Sequence, residues 1–428
     1  GTTGARQLRT YSYSVAGDGT GTTQVHDPGL RSNGPVITAG FDPQWRETFA
    51  TSAMGQTSTK TWADGKDLIT RMADPNGVTS TTIYDPVTDR ATHSYGPAAA
   101  SCFQSDGHPK PDCVNTVPTS TVAYDQAAGS TSPQYGLFAT YFNNPSLAGA
   151  PAAMHHGLAT PTSGVIDHTW SGAPRPGVNA DNWSVRLSGW ITFPQTGTYT
   201  IKTIADDGTR VWIDDKLVVD AWVDRPGGAD WSLNNTPIQI STENEKHRIR
   251  VEYYDRTGNA WVRLMWMKPG ATSSVLVEPT QLTPDYGAVT STTTADHSSV
   301  AGAVVHPSTT SNTYDHPWLG LATKESETGP AGTTLTTTTE WEQPDDAGGW
   351  LRRKSKKLPA QTADGTGGTT YEYYGDLSTS TGGQALANQC SILPTQSQYG
   401  MLKQTSAPGG VRTQYVYDEW GRVAGERY

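Results

Sequence analysis

The sequence is poor in the residues that build large hydrophobic cores. Apolar residues make up 34% of its 428 residues, with only 6 Phe, 6 Met and 3 Cys, whereas ordinary domains are roughly 45–50% apolar. Runs of Leu, Ala, Glu and Lys at helical spacing are nearly absent. No apolar stretch approaches the roughly 18 to 20 residues that span a bilayer. These absences exclude a helical bundle, a coiled coil, a doubly wound nucleotide-binding fold and a membrane-spanning helix.

Positive charge is also scarce. The chain has 31 Lys and Arg against 41 Asp and Glu, a formal net charge of −10, and its one short basic run lies at 352–357. Such a run is typical of a solvated strand edge that discourages pairing with other chains. We therefore expect no nucleic-acid partner. Because Gly1 is not preceded by an initiator Met or a signal peptide, we expect an interior piece of a longer protein.

Small, β-branched and turn-forming residues take the place of the missing core residues. The sequence holds 62 Thr, 33 Ser, 45 Gly and 28 Pro. Thr is β-branched, so it suits strands and is unfavourable in helices. Together with a length of about three domains, this composition predicts an all-β fold.

The middle of the chain differs from its ends. Eight of the 14 Trp fall between Gly136 and Tyr286, enough large aromatics for a compact core. Alternating segments there predict strands, with one hairpin turning at Asp214-Asp215 and another, HRIRVEYYDRTGNAWVRLMWM, with Asp255 to Asn259 at its tip. This pattern predicts a β-sandwich, and hence three segments: 1–135, 136–286 and 287–428.

A spacing recurs in the two flanking segments. DPNGVTSTTIYD at 74–85 and APGGVRTQYVYD at 407–418 both place P-x-G seven residues before Y-D. The unit is a turn, a strand and a turn, which buries its face only by stacking on neighbours. With TQYVYDEWGRVAGERY at the end of the chain, the flanks resemble Rhs proteins, the tyrosine-aspartate (YD) repeat family. That resemblance implies a β-sheet shell, often enclosing a toxic C-terminal segment.

The middle segment resembles the anthrax protective antigen domain family. GLFATYF, VRLSGWITFPQTGTYTIKTIADDGTRVWIDD and RIRVEYYDRTGNAWVRLMW carry this resemblance, which implies a lectin-like β-sandwich. In adhesin members of the family an Asp-Asp pair joined by a cis peptide binds calcium, which contacts sugar hydroxyls. Asp206 and Asp207 occupy that place here.

The chemistry of these two carboxylates leaves two interpretations open. Calcium takes six to eight oxygen ligands, so Asp206 and Asp207 need a second loop, for which Asp255 and Asn259 are the candidates. Alternatively, Asp-Asp-Gly is a turn whose side chains cap their own backbone amides. Trp222 or Trp261 could stack on a sugar ring, although a sandwich also needs most of its Trp as core.

The sequence shows few signs of a catalytic site. Glycosidases need two carboxyls facing one scissile bond, whereas adjacent residues on a turn point apart. His155-His156 is interpreted as a surface dipeptide rather than a metal site. We expect no catalytic residues.

The three cysteines indicate the redox compartment. Cys102 and Cys113 bracket a polar loop whose closure by a disulfide would contribute roughly 3 kcal/mol, and such a bond favours an oxidising compartment. A zinc site is the weaker alternative, since His108 is the one nearby soft ligand and zinc wants four. Cys390 is expected to be a free or buried thiol.

These observations predict a non-catalytic carbohydrate or glycoconjugate-binding module, with calcium as its ion, carried on the Rhs-repeat shell of a secreted or surface-displayed bacterial toxin-like protein. The expected partners are cell-surface glycans and the remaining shell and C-terminal segment of the same polypeptide. The alternative is an insertion that only braces the shell or contacts another protein.

Overall fold

The structure is a computed structural model that describes residues 9–26, 36–127, 134–158, 164–224, 236–296, 307–343, 350–364, 367–375, 390 and 398–428. Nearly all regular structure in these residues is β-strand, which confirms the all-β prediction. No helix among them is long and apolar enough to cross a membrane. The chain divides into two compact units, the first made of 1–123, 291–311 and 327–335, the second of 124–290, 312–326 and 336–428. The three predicted segments stay a prediction.

The first unit contains a meander in which each strand pairs antiparallel with the next. The strands Glu47–Thr51 and Thr119–Tyr124 are half-buried throughout, whereas Thr10–Val15 is exposed and Thr79 and Thr81 are buried. Few of the described side chains in this meander are fully buried, which accounts for the low apolar content. The strands are β1 Thr10–Val15, β2 Gly21–His26, β3 Ile37–Phe41, β4 Glu47–Thr51, β5 Thr57–Trp62, β6 Ile69–Ala73, β7 Val78–Tyr84, β8 Ala91–Ala99 and β9 Thr119–Tyr124.

The recurring spacing follows from turn chemistry. In the first copy, the Asp74 carboxylate accepts the backbone N–H groups of Asn76 at 2.9 Å and Val78 at 2.8 Å, the usual Asx-turn arrangement. At the end of the same strand, the Tyr84 hydroxyl donates to the carbonyl of Ile69 at 2.9 Å. In both copies a backbone hydrogen bond closes the turn, from the Gly77 N–H to the Asp74 carbonyl at 3.0 Å and from the Gly410 N–H to the Ala407 carbonyl at 3.2 Å. The Pro-x-Gly element therefore marks a backbone turn, and the side-chain bonds of Asp74 and Tyr84 belong to the first copy.

A disulfide joins Cys102 and Cys113, with an S–S distance of 2.09 Å. It closes the loop after β8, whose Phe103 is buried. Cys390 is a half-buried free thiol.

The second unit contains the sandwich. One sheet has the order β11-β10-β13-β18-β15-β16 with β21 beside β13, and the other has β12-β19-β14-β17 with β20 beside β19. The strands are β10 Phe138–Phe142, β11 Ala153–His156, β12 Asp167–Trp170, β13 Trp183–Phe193, β14 Gly197–Asp206, β15 Thr209–Ile213, β16 Lys216–Ala221, β17 Ile238–Ile240, β18 Glu245–Asp255, β19 Ala260–Met267, β20 Val275–Leu276 and β21 Leu282–Thr283. The hydrophobic core lies between these sheets and runs from Leu137 to Leu282.

One predicted hairpin is confirmed and the other is wrong. β15 and β16 pair across Asp214 and Asp215, both with positive φ. β18, however, pairs with β13 and β15, whereas β19 belongs to the other sheet. Alternation identifies both strands but carries no information on their partners. The loop at 256–259 thus carries the chain between sheets, and Asp255 ends a strand instead of lying at a hairpin tip.

His156 closes the sandwich where the chain enters and leaves it. It is 6% exposed, so the predicted surface dipeptide is wrong for this residue. Its Nε2 lies 2.7 Å from the carbonyl of Tyr135, and its Nδ1 lies 2.7 Å from the hydroxyl of Tyr286. Burial, chiefly, lowers the pKa of His156. In the neutral ring, Nε2–H donates to Tyr135 and Nδ1 accepts from Tyr286.

The remaining strands follow the sandwich in sequence, and their residues are divided between the two units. From β25 onward each strand pairs antiparallel with the next. They are β22 Val289–Ala295, β23 Ser308–Tyr314, β24 Ala322–Thr328, β25 Thr334–Trp341, β26 Arg353–Lys357, β27 Thr369–Tyr373, β28 Leu402–Ser406, β29 Arg412–Tyr417 and β30 Val423–Arg427, with one helix, α1 Pro359–Asp364.

Candidate functional site

Two crossings between the sheets meet at one end of the sandwich. The chain leaves β14 at Asp206 and enters β15 in the other sheet at Thr209, and it leaves β18 at Asp255 and enters β19 at Ala260. The pairing of Asp206 with Trp261 puts both crossings at the same end. The Asp206-Asp207 peptide bond is cis. Tertiary structure thereby brings together carboxylates about fifty residues apart in sequence; we call Asp181, Asp206, Asp207 and Asp255 the aspartate cluster.

Asp255 is the deepest member of the aspartate cluster. Its side chain is 0% exposed, and neither carboxylate oxygen receives a hydrogen bond from any described residue. Burial raises its pKa to about 7, and the negative charges of Asp207, Asp181 and Asp206 add to the effect. The ionised form of such a carboxylate is unfavourable in free energy, because a buried charge needs a partner of opposite charge or hydrogen-bond donors.

Asp206 and Asp207 are nearly buried, at 6% and 7% exposure. An Asp207 carboxylate oxygen accepts the N–H of Arg256 at 2.8 Å. Asp181 accepts the N–H of Gly258 at 3.1 Å. These two contacts show that the aspartate cluster binds backbone N–H groups of the loop at 256–259. Its side chains therefore do more than cap the backbone amides of their own turn.

The donor chemistry of the aspartate cluster suits a hard cation. Calcium prefers carboxylate and carbonyl oxygens, and Asp255 offers two buried oxygens without hydrogen-bond donors. Within the described residues, no group of three or more His, Cys, Asp or Glu side chains is already gathered as a metal shell, and Asn259 is exposed. An ion would therefore have to complete its shell by drawing the carboxylates together or with other oxygens.

A cleft of about 510 Å³ opens beside the cluster. We call it the Trp222 cleft; it is lined by Pro145, Ser146, Asn182, Trp222, Val223, Asp224, Tyr254 and Arg256. It adjoins the cluster through Arg256, whose backbone binds Asp207. An aromatic wall with a few polar groups is the usual make-up of a small-ligand site.

The polar groups of the cleft form a chain centred on Asp224. The Tyr254 hydroxyl donates to Asp224 at 2.6 Å and the Arg256 guanidinium at 3.2 Å. The hydrogen bond from Tyr254, followed by the charge and hydrogen bond of Arg256, holds the pKa of Asp224 below its usual range. Asp224 therefore presents a charged acceptor to the cleft at neutral pH.

The predicted tryptophans occupy different places. The Trp222 ring lies 4.6 Å from that of Tyr254 and forms a wall of the cleft. Trp261 is half-buried with Arg263 over its ring at 5.4 Å, in register with Asp206. Among the other Trp of the middle segment, Trp231 is outside the described residues, Trp212 is half-buried, and four are buried: Trp170, Trp183, Trp190 and Trp266.

Sequence reasoning missed Asp224, Tyr254 and Arg256. Tyr254 was within a recognised strand, but the sequence offered no sign that Asp224, thirty residues earlier, would meet it. The contact depends on tertiary structure alone.

Comparisons with known proteins point to the same part of the chain. Residues 133–278 match the family model of the PA14 domain. The anti-sigma-I factor RsgI3 of Acetivibrio thermocellus is 32% identical over 124 residues, which are 28% of this chain and 18% of that protein. The chain thus spans less than a fifth of that relative's length.

Two solved structures are also similar to this chain. One is an anti-sigma factor domain-containing protein from Clostridium clariflavum, 22% identical, covering 49% of this chain and 70% of that one with a TM-score of 0.30. Another is a PA14 sugar-binding domain from an RTX adhesin, 16% identical, covering 35% of this chain and 99% of that one with a TM-score of 0.28.

The identification as a protective antigen-type insertion in a Rhs protein is wrong. The matches are to a PA14 domain and to anti-sigma-I factor homologues. The Tyr-Asp spacing misled because Pro, Gly and Asp are selected by the geometry of the local turn and not by family. The spacing reports local turn chemistry, not family.

Proposed function

We propose that the sandwich of residues 136–286 is a non-catalytic carbohydrate-binding module, with its site in the Trp222 cleft and the adjoining aspartate cluster. The observation that carries the proposal is Asp255, a buried carboxylate without hydrogen-bond donors among the described residues, beside an open cleft with an aromatic wall. The match of this segment to the PA14 domain supports the placement.

The cleft offers what a sugar ring needs. The half-buried Trp222 ring provides apolar surface for the C–H face of a sugar ring. The buried Tyr254 ring packs against Trp222, with 4.6 Å between the ring centres. The Asp224 carboxylate can accept hydrogen bonds from sugar hydroxyls, and the Arg256 guanidinium can donate to them. Their side chains are 57% and 55% exposed, so both can exchange the hydrogen bond between them for bonds to a sugar. This arrangement binds and orients a glycan without cutting it, because the aspartate cluster lies under the loop and not across the cleft.

Calcium is proposed as the ion of the aspartate cluster, held by Asp206, Asp207 and Asp255, with Asn259 a candidate for a further oxygen. When bound, it would offer positive charge and open coordination positions for hydroxyl oxygens. Without it, the buried charge of Asp255 is opposed by Asp206 and Asp207. A secreted or cell-surface location is proposed with this function, in keeping with the disulfide between Cys102 and Cys113 and an oxidising compartment.

The proposal is tested by calcium titration and a glycan array. Saturating calcium at a hundredfold excess over Kd should stabilise the protein by about 2.7 kcal/mol, visible as a rise in Tm. The double variant Asp206→Asn with Asp207→Asn should lose that rise. The matched control is Asp214→Asn with Asp215→Asn, an Asp-Asp pair on an exposed turn, which should keep it.

Two results would contradict the proposal. If calcium leaves Tm unchanged, the ion is not bound. If the array also stays blank with the cleft intact, the sandwich is a structural or protein-binding module instead.

A further inference from the structure

A second groove lies on the sandwich, away from the aspartate cluster. Its volume is about 240 Å³, and it is lined by Ser188, Gly189, Trp212, Asp215, Arg248, Ile249, Arg250 and Asp285. We call it the Arg250 groove. Because Ile249 and Val251 point into the core, alternation puts Arg248 and Arg250 on the outer face of the sheet. Tyr254 lies on the same face of β18, four residues and about 13 Å from Arg250.

Most arginines on this outer face have their own carboxylate. Arg186 binds Glu252 at 2.9 Å, Arg210 binds Asp220 at 2.9 Å and Arg248 binds Asp215 at 2.6 Å. Each of these guanidinium charges is compensated by a carboxylate, so these three arginines attract an anionic ligand only weakly.

Arg250 differs from them. Its Nε is buried, and no hydrogen-bond partner for it exists among the described residues. The nearest carboxylate contact is Glu252 at 3.8 Å, and Glu252 is already bound by Arg186. Because the Arg250 side chain as a whole is 41% exposed and lines the groove, the terminal N–H groups of its guanidinium, rather than the buried Nε, can reach a ligand.

Trp212 fixes the orientation of Arg250. The guanidinium carbon lies 4.0 Å from the Trp212 ring centre, and the two residues are directly opposite each other in the pairing of β15 with β18. Stacking on the ring holds the guanidinium plane, and a guanidinium held in this way suits a planar carboxylate. Asp215 and Asp285 at the rim can accept hydroxyl hydrogens.

We propose that the Arg250 groove is a second subsite, for a carboxylate-bearing sugar of the uronic acid type. The proposal rests on the proposed function in taking the ligand to be a glycan. An extended chain of a few sugars could then lie along the outer face, with one ring in the Trp222 cleft and a carboxylate on Arg250. Selectivity for acidic glycans arises in this groove and not at the aspartate cluster.

The test compares two hexasaccharides by calorimetry at low salt. They are a β-1,4-linked glucuronate hexamer and cellohexaose, which has the same backbone without carboxylates. The charged hexamer should bind at least about tenfold more tightly, since a charge-assisted hydrogen bond is worth roughly 1.5–3 kcal/mol. Arg250→Gln should remove this preference. Arg263→Gln, the same change at a surface pair with Asp167 on the other sheet of the sandwich, should preserve it.

The outcomes separate this proposal from the proposed function. Equal binding of the two hexamers by the unaltered protein overturns the acidic subsite while leaving a glycan-binding cleft, and this comparison needs no variant to fold. Binding of neither hexamer, combined with a positive glycan array, also overturns it. Loss of the preference in Asp206→Asn with Asp207→Asn, but not in Arg250→Gln, would assign selectivity to the aspartate cluster instead.

Discussion

Asp255 shows how one residue can couple the stability of this protein to pH. Its pKa is raised to about 7 in the fold, against about 3.9 in an unfolded chain. Between these values the native state retains a proton that the unfolded state has released. The free energy of unfolding therefore falls as pH rises from about 4 through about 7.

We expect Asp255→Asn to stabilise the calcium-free protein at pH 8. The substitution removes a buried charge, so the gain should be roughly 2–4 kcal/mol at pH 8 and should vanish near pH 4. Urea unfolding with a calcium chelator at both pH values measures it. Asp167→Asn, at a surface pair with Arg263, is the control; a similar gain there would refute the assignment to Asp255.

At this scale the sequence named part of the candidate site. Asp206 and Asp207 were named because the resemblance to the protective antigen domain family implies a calcium-binding Asp-Asp pair at that place. Asp255 was named as well, but its burial was missed, although it has the same parity in β18 as the core residues Val251 and Tyr253. Asp224 and Arg256 could not be found, because their meeting requires the crossings between sheets.

Gly208 connects the aspartate cluster to the cleft at the scale of secondary structure. A Cβ there would lie 2.3 Å from a ring carbon of Tyr254 and 3.0 Å from the backbone nitrogen of Val223. Only glycine lets the crossing from β14 to β15 pass this close to the Tyr254 ring.

Gly208→Ala should displace the Tyr254 ring and weaken both stability and glycan binding. Overpacking of this kind costs about 1–3 kcal/mol, measurable by urea unfolding, and any ligand of the Trp222 cleft should bind less tightly in calorimetry. Gly172→Ala, where the new methyl meets nothing within 4 Å, should leave both unchanged. Unaltered binding in Gly208→Ala would show that the Tyr254 ring does not shape the site.

Strand existence and strand pairing have different origins in this protein. Period-two alternation predicted the strands of the sandwich and the β15–β16 hairpin, because the turn at Asp214-Asp215 is local. Alternation did not predict that β18 and β19 belong to different sheets, since a short loop can join strands within one sheet or between two sheets.

At the scale of the whole chain, the sandwich has its own hydrophobic core. The core cluster falls within Leu137 to Leu282, and His156 binds Tyr135 before it and Tyr286 after it. A fragment of residues 134–288 should therefore unfold in one cooperative transition. The shorter fragment 136–285 keeps Leu137 but loses both partners of His156, and it should be less stable by about 1–3 kcal/mol. Coincident circular dichroism and fluorescence melts test this, and a fragment 134–288 without a cooperative melt would refute it.

The sequence by itself determined the all-β class and the strands of the sandwich, because composition, alternation and turn residues act locally. Its local repeat spacing could not determine family, since unrelated meanders need the same turns. Tertiary structure decided which strands pair, which carboxylates meet and which arginine lacks a close carboxylate of its own. These depend on contacts between residues far apart in the chain, whose geometry is fixed only when the two sheets pack. The low apolar content thus describes the half-buried Thr strands, while the candidate sites belong to the Trp-rich sandwich.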